Sequence, residues 1–130
     1  MIRNISSVII GIIVGLFAIM ALHQLGMVFY PLPEGVDMND SDAIAEYIKI
    51  APLGALLLVM FAHLGGTFLA AVASTFISKE KNICFIIGSV FTIFGLMNLY
   101  QLPHPMWFNI EAVLYLPSAY LGYTLIAIRN

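Results

Sequence analysis

Four long apolar runs place the strongest constraint on what this chain can fold into. They extend from Ile5 to Tyr30, Ile50 to Ile77, Ile83 to Leu102 and Ile110 to Ile128. A helix needs about 20 residues to cross a hydrocarbon core of about 30 Å, and each run is close to or above that length. No Asp, Lys or Arg lies in the central part of any run. The sequence therefore predicts four transmembrane helices.

The composition indicates lipid as the surroundings of most side chains. Apolar residues make up 62% of the 130 residues and charged residues only 9%, whereas soluble domains average roughly 25% charged residues. A soluble fold with so few charges could not cover its own surface. We therefore expect one all-α transmembrane domain over residues 1–130, with the bilayer as its first partner. The net charge of −2 provides no basic surface, so nucleic acid is not expected as a partner.

The basic residues predict the orientation of the four spans. Arg3, Lys79, Lys81 and Arg129 fall at the two termini and in the second connection, which share one side if there are four spans. Lys49 alone falls on the other side, where most acidic residues lie. Because cytoplasmic connections are enriched in Lys and Arg, the sequence predicts a multi-pass protein of the cell (inner) membrane with both termini cytoplasmic.

The first and third runs suggest an internal duplication. An offset of 77 positions aligns them without a gap and gives eight identities in seventeen positions, among them a Gly pair and a Gln pair. An offset of 65 applied to the second helix aligns Glu46, Pro52 and Leu56 with Glu111, Pro117 and Leu121. The fold predicted is a four-transmembrane-helix bundle of two duplicated helical hairpins, residues 5–77 and 83–128. The hairpins would form a parallel repeat about an axis along the membrane normal.

The duplication carries two further expectations. Phe17, Met20 and Gln24 lie on one helical face and recur in the third run, so that face is expected to turn towards the repeat axis. Pro52 and Pro117 are expected to bend the second and fourth helices, because proline cannot donate the helical hydrogen bond.

Polar residues at similar heights on the outer side predict a polar pocket between the two hairpins. Two carboxylates in such a pocket, Glu46 and Glu111, could bind a cation or share a proton. Equally, a Glu in the first turn of a helix is stabilised by the helix dipole and needs no ligand. Gln24 and Gln101 could line the pocket or bond across helices. The candidate residues are Gln24, Gln101, Glu46, Glu111, His23, His63, Tyr100 and His104.

His63 is the candidate at the greatest predicted depth, near the bilayer midplane. An ionisable residue there is costly and indicates function, although one interhelical hydrogen bond would satisfy a neutral histidine. With His23 it could ligate a haem, but their predicted depths differ by about half a leaflet, which argues against haem. No Glu-x-x-His pair for a metal is present, and Cys84, the single cysteine, is predicted to be a small buried residue. We therefore predict no metal and no cofactor.

Three stretches near the ends of the spans show a resemblance. Tyr30 to Gly35, the Ala51-Pro52 pair and Leu102 to Trp107 are similar to a family of small bacterial four-helix membrane proteins without an assigned function. The resemblance covers nearly the whole chain and implies an inner-membrane location, but no activity or substrate. The small multidrug transporters resemble the chain only in size, because its first run lacks the glutamate of their first helix.

Three functional interpretations remain after the sequence is considered. The preferred one is binding or transport of a small molecule or lipid through the outward-facing pocket. The second is a non-catalytic accessory or structural subunit of a larger membrane complex. The third, an intramembrane enzyme or redox protein, ranks last because no nucleophile–base pair or ligand set supports it. Gly11 and Gly15 form a G-x-x-x-G pattern that fits either homo-oligomerisation or packing inside the bundle.

Overall fold

The computed structural model describes residues 1–128 of the chain, and helices are its only regular structure in that range. Arg129, one of the four basic residues used to predict the orientation, lies outside the described residues. The helices are α1 (Ile2–Phe29), α2 (Ser41–Ile50), α3 (Leu53–Ser78), α4 (Lys81–Gln101) and α5 (Ile110–Ala127), and a 3-10 turn, Met106–Asn109, leads directly into α5.

The structure confirms four helices long and apolar enough to cross a membrane. They are α1, α3, α4 and the continuous segment Met106–Ala127, with 28, 26, 21 and 22 residues. At 1.5 Å per residue even α4 is about 32 Å long, which matches a hydrocarbon core of about 30 Å. The predicted boundaries agree with these helices to within a few residues.

The chain is not one continuous helix across Pro52, because α2 and α3 are separate helices. Asp40 caps α2, since its side chain accepts hydrogen bonds from the backbone N–H groups of Asp42 and Ala43. α2 then ends at Ile50 with Ala51 as its C-cap, and Pro52 is the residue immediately before α3. The expectation that Pro52 bends a continuous helix is therefore wrong: it separates two helices. Pro117 does lie inside α5.

α3 is the central helix of the bundle, because its contacts with α1 and α5 are the most extensive between helices, and it also packs against α4. α3 lies close to α1 because glycines of α1 have no side chain at the contact. A Cβ added at Gly11 would lie 2.8 Å from both the Ala70 carbonyl oxygen and the Ser74 Cβ. A Cβ at Gly15 would lie 2.5 Å from Phe91 and 2.8 Å from the Ala70 Cβ. The G-x-x-x-G pattern thus serves packing inside the bundle.

The face shared by the two proposed repeats turns outward, so the expectation that it faces the axis is wrong. Phe17 and Met20 are 68% and 62% exposed, and Gln24 is exposed as well. Their counterparts in α4, Phe94 and Met97, are also exposed. The physical reason is that the glycines occupy the opposite side of α1, and close approach of two helices favours small residues over large ones.

The contacts within the two hairpins do not match the offset of 65 positions that was predicted between α3 and α5. Gly11 of α1 approaches Ala70 of α3, and Gly88 of α4 approaches Ala119 of α5. The two alanines are 49 positions apart (119 − 70), whereas the sequence comparison used 65. Each hairpin is present as a packed pair of helices, and their origin by duplication stays a prediction.

The bundle has two distinct ends. Arg3 pairs with Glu80 at 3.8 Å, which places the start of α1 beside the α3–α4 turn. We call this the turn end. The opposite loop end holds α2, the α1–α2 connection from 30 to 40 and the α4–α5 connection from 102 to 105.

We predict that Gly15→Ala lowers the free energy of unfolding by about 1–3 kcal/mol, because the new methyl group overlaps the Ala70 side chain and the Phe91 ring. Gly26→Ala is the matched control in the same helix. A Cβ there meets only Leu58, at 3.7 Å, and should leave stability unchanged or raise it. Unfolding in mixed micelles measures both variants. Equal stability of the two would contradict the close contact at Gly15.

Candidate functional site

A buried polar cluster joins α3 to α5. His63 Nδ1 lies 2.7 Å from Oε1 of Glu111, and the Tyr115 hydroxyl donates to the same oxygen. The Glu111 side chain is 1% exposed and that of His63 13%. An oxygen that receives two donors is typical of a carboxylate, so the Nδ1–H of His63 is best described as donating to Glu111. The cluster thus contains an acid, a base and a phenol within an apolar bundle.

His63 and Glu111 lie at a similar distance from the turn end of the bundle, because α5 begins only one residue before Glu111. Fifteen residues separate His63 from Ser78 at the turn end of α3, and sixteen separate Glu111 from Ala127 at the end of α5. These lengths correspond to about 22–24 Å of helix each. A second interhelical bond supports the alignment: Ser118 Oγ donates to the Leu64 carbonyl at 2.7 Å.

His23 of α1 adds a second imidazole to the cluster. Its ring centroid is 5.0 Å from that of His63, so the predicted separation of half a leaflet is wrong. The reason is the register of α1 on α3: His23 comes twelve residues after Gly11, and His63 comes eleven residues before Ser74, which Gly11 contacts. Because the two rings contact each other, they cannot bracket a planar haem.

Two polar atoms of the cluster are buried without a hydrogen-bond partner among residues 1–128. They are Nε2 of His23 and Oε2 of Glu111. Buried polar groups in proteins are nearly always paired, and the exceptions call for an explanation such as a function or an additional ligand. The cluster therefore has unused hydrogen-bonding capacity.

A cavity of about 290 Å³ lies beside the cluster and extends towards the loop end. His23 and His63 form part of its wall, together with His104 and Asn98. α2 covers it with Ile44, Tyr47 and Ile48. The remaining lining is Leu22, Gly26, Met27, Tyr30, Leu32, Met38, Ala51, Ala55, Leu56, Leu58, Val59 and Leu102.

The cavity differs from the predicted pocket in position and character. Its wall comes mainly from α1, α2 and α3, and the second hairpin with its connection supplies only Asn98, Leu102 and His104. Its lining is mainly apolar, and no Lys, Arg, Asp or Glu of the described chain contributes to it. Within residues 1–128, the one acid in contact with a lining imidazole is Glu111, through His63.

The structure brings four of the eight predicted residues to this region and places four elsewhere. His23, His63 and His104 line the cavity, and Glu111 lies behind His63. Gln24 and Tyr100 are exposed, and Gln101 and Tyr100 border a shallow depression on α4. Height along the membrane axis was predicted for these residues, but the direction in which each side chain points was not.

The two carboxylates that were predicted to share a pocket have different surroundings. Glu46 is exposed on α2 and pairs with Lys49, Nζ to Oε1, at 2.6 Å. Glu111 is fully buried. Glu111 lies in the first turn of α5, but a role confined to the helix dipole does not require it to be buried against a histidine. Glu46 lies beyond the first turn of α2, where the helix dipole has little effect. They therefore do not form a carboxylate pair.

Tyr115 is the residue of the cluster that sequence reasoning missed. Tyrosines near the ends of membrane spans commonly lie at the bilayer interface, yet Tyr115 is 2% exposed. The available signal was its position four residues after Glu111, which places both side chains on one face of α5.

His104 forms the loop-end side of the cavity. Its Nδ1 donates to the Leu102 carbonyl at 3.0 Å, and its ring stacks on Phe108 with centroids 4.5 Å apart. Burial lowers the pKa of this imidazole below its ordinary value of 6.5, although the Leu102 carbonyl partly opposes the shift.

Comparison with protein-family models, curated proteins and solved structures finds no match for this chain. The resemblance to small four-helix bacterial membrane proteins therefore stays a prediction. Within the described residues, no group of three or more His, Cys, Asp or Glu side chains is arranged to hold a metal ion.

We predict that Glu111→Ala lowers the free energy of unfolding by about 3–5 kcal/mol, since it leaves His63 and Tyr115 buried without their partner. Glu46→Ala is the matched control, because this acid is exposed and its pairing with Lys49 contributes little. Unfolding in mixed micelles compares the two. A similar, small effect of both substitutions would contradict a structural role for the buried cluster.

We predict that acid destabilises the protein in part through His104. Because its pKa is lower in the folded than in the unfolded chain, the unfolded chain binds more protons below pH 6.5. Stability is therefore highest above that pH and falls as the pH drops below it. His104→Phe keeps a ring against Phe108 and should reduce the loss of melting temperature between pH 7.5 and 5.5, values chosen to bracket the ordinary pKa. An unchanged loss would contradict this assignment.

Proposed function

We propose that this protein binds or transports a small amphipathic molecule, which enters the cavity between α1, α2 and α3. The observation that carries the proposal is the position of His23 and His63 in the wall of an otherwise mainly apolar cavity. Ligand sites are typically apolar cavities of about 300–1,000 Å³ with a few polar groups, and this cavity lies at the lower limit. A ligand with an apolar body and one hydrogen-bonding head group fits this lining.

The location and orientation belong to the same proposal. The basic residues Arg3, Lys79 and Lys81 lie at the turn end, and the acidic connection and α2 lie at the loop end. Under the positive-inside rule the turn end is cytoplasmic, and the cavity then extends to the outer side of a bacterial inner membrane. Duplication of a hairpin is also part of the proposal, supported by the eight identities between α1 and α4.

An accessory subunit of a larger membrane complex, or of a homo-oligomer, is the second candidate. It is favoured by α1, which buries only Ser7, Gly11 and Gly15 and leaves a long apolar face. Lipid or a membrane partner would cover that face equally well. Co-purification of one large membrane protein, lost when Phe17 and Met20 are replaced by Trp, would support this candidate over the first.

We predict that Gly26→Leu reduces binding of a brominated decanol, because the added side chain projects from the cavity wall into space where only Leu58 is near. Trp107, the single tryptophan, serves as the reporter. It contacts Phe108, on which the cavity residue His104 stacks. Bromine quenches indole fluorescence at short range, so occupancy of the cavity should give a saturable loss of Trp107 emission.

Gly26→Ala is the control, since a methyl group occupies little of the cavity and keeps the backbone of α1. It should retain saturable quenching, while Gly26→Leu should show only the linear quenching due to probe dissolved in the micelle. Saturable quenching of equal affinity in the Leu variant would place the probe outside this cavity, and no saturable quenching in the native protein would refute a cavity ligand of this class.

A further inference from the structure

We propose that the ligand of this cavity is an amphipathic ammonium cation, and that its binding to His63 displaces one proton from the His63–Glu111 pair. This inference rests on the proposed function and names the ligand class of the same site. It starts from the sign of the charge around the cavity. Among residues 1–128 the lining includes no Lys or Arg, and the one carboxylate bonded to a lining side chain is Glu111.

The negative charge of Glu111 is the reason that the site selects against anions. A fatty acid or another anionic amphiphile would bring a second negative charge next to a buried carboxylate, and like charges in a low-dielectric region repel strongly. A cation bound to His63 would instead balance the negative charge of Glu111, from which it would be separated by the imidazole ring of His63.

The geometry of His63 allows an ammonium cation to replace a proton. Its Nδ1–H points to Glu111, which leaves Nε2 as the ring nitrogen on a side chain that lines the cavity. With one proton on Nε2, the empty pair has no net charge, because the positive imidazole ring compensates the carboxylate. When an ammonium group binds, the Nε2 proton leaves to water and the Nε2 lone pair accepts a hydrogen bond from the ammonium N–H. One proton leaves for each cation bound, and the site stays neutral throughout.

The apolar surroundings of the His63–Glu111 pair favour states of the pair without net charge. An uncompensated charge within a transmembrane bundle is costly, so the pair holds a proton or a cation in preference to neither. The other titratable groups around it within the described chain are His23 from α1, Tyr115 from α5 and His104 from the α4–α5 connection. Tyr115 donates to Glu111, and its hydrogen bond stabilises the carboxylate in both states.

The test is calorimetry on the full chain in a non-ionic detergent at neutral pH. Octylammonium, octanol and octanoate are titrated in phosphate and in Tris, two buffers that differ strongly in ionisation enthalpy. The difference in observed heat between buffers counts the protons released. Gly26→Leu in the same detergent supplies the background of partition into micelles.

We expect octylammonium to release about one proton per molecule bound and to bind about tenfold tighter for each unit of rising pH while the pair holds its proton. Octanol should bind without proton release, and octanoate at least tenfold more weakly than octylammonium. Glu111→Gln should abolish proton release and weaken octylammonium binding to the level of octanol. Glu46→Gln, which changes the exposed acid of α2, should leave all three titrations unchanged.

The comparison of the three probes on the unaltered protein needs no variant, so the inference stays testable if Glu111→Gln does not fold. Equal binding of octylammonium and octanol without proton release would overturn the inference and leave the cavity as a site for neutral amphiphiles. Tighter binding of octanoate would also overturn it. If none of the probes binds above the Gly26→Leu background, the proposed function falls together with the inference.

Discussion

The contact between His63 and Glu111 is the interaction on which the loop-end half of the bundle depends. Within hydrocarbon, a polar side chain has no water to bond, so it must find its partner inside the protein. Glu111 is fully buried, and its partner is on α3, which packs against all three other spans. Because lipid supplies no hydrophobic drive for helices to associate, a polar contact of this kind has a large share in fixing the register of α5 on α3.

The two halves of the bundle are held together by different means. At the turn end, Gly11, Ala70 and Ser74 let two backbones approach closely, and dispersion contacts between closely packed atoms hold α1 to α3. Towards the loop end, imidazole rings and a cavity that α2 covers lie between α1 and α3. The same pair of helices is therefore closely packed near the turn end and encloses a cavity near the loop end.

The sequence was sufficient for the number and limits of the spans, because the length of an uncharged run is a direct measure of its fit to a bilayer. It was insufficient for the direction of each side chain. In helices that are apolar all round, periodicity no longer distinguishes the buried side, and Phe17, Met20 and Gln24 were placed on the wrong side for that reason. The register between helices was a second gap: it depends on where Gly11 meets Ser74, which no single helix encodes.

The position of His63 links the architecture to the proposed chemistry. Its ring contacts Glu111 across the α3–α5 seam and also forms part of the cavity wall, while His23 contacts it from α1. One side chain thus belongs to the packing of three helices and to the ligand site at once. In the proposed exchange, charge enters and leaves at Nε2 while Nδ1 keeps its bond to Glu111. The register of α5 on α3 is then preserved in both states, so occupancy can change without a loss of the contact that holds the hairpins together.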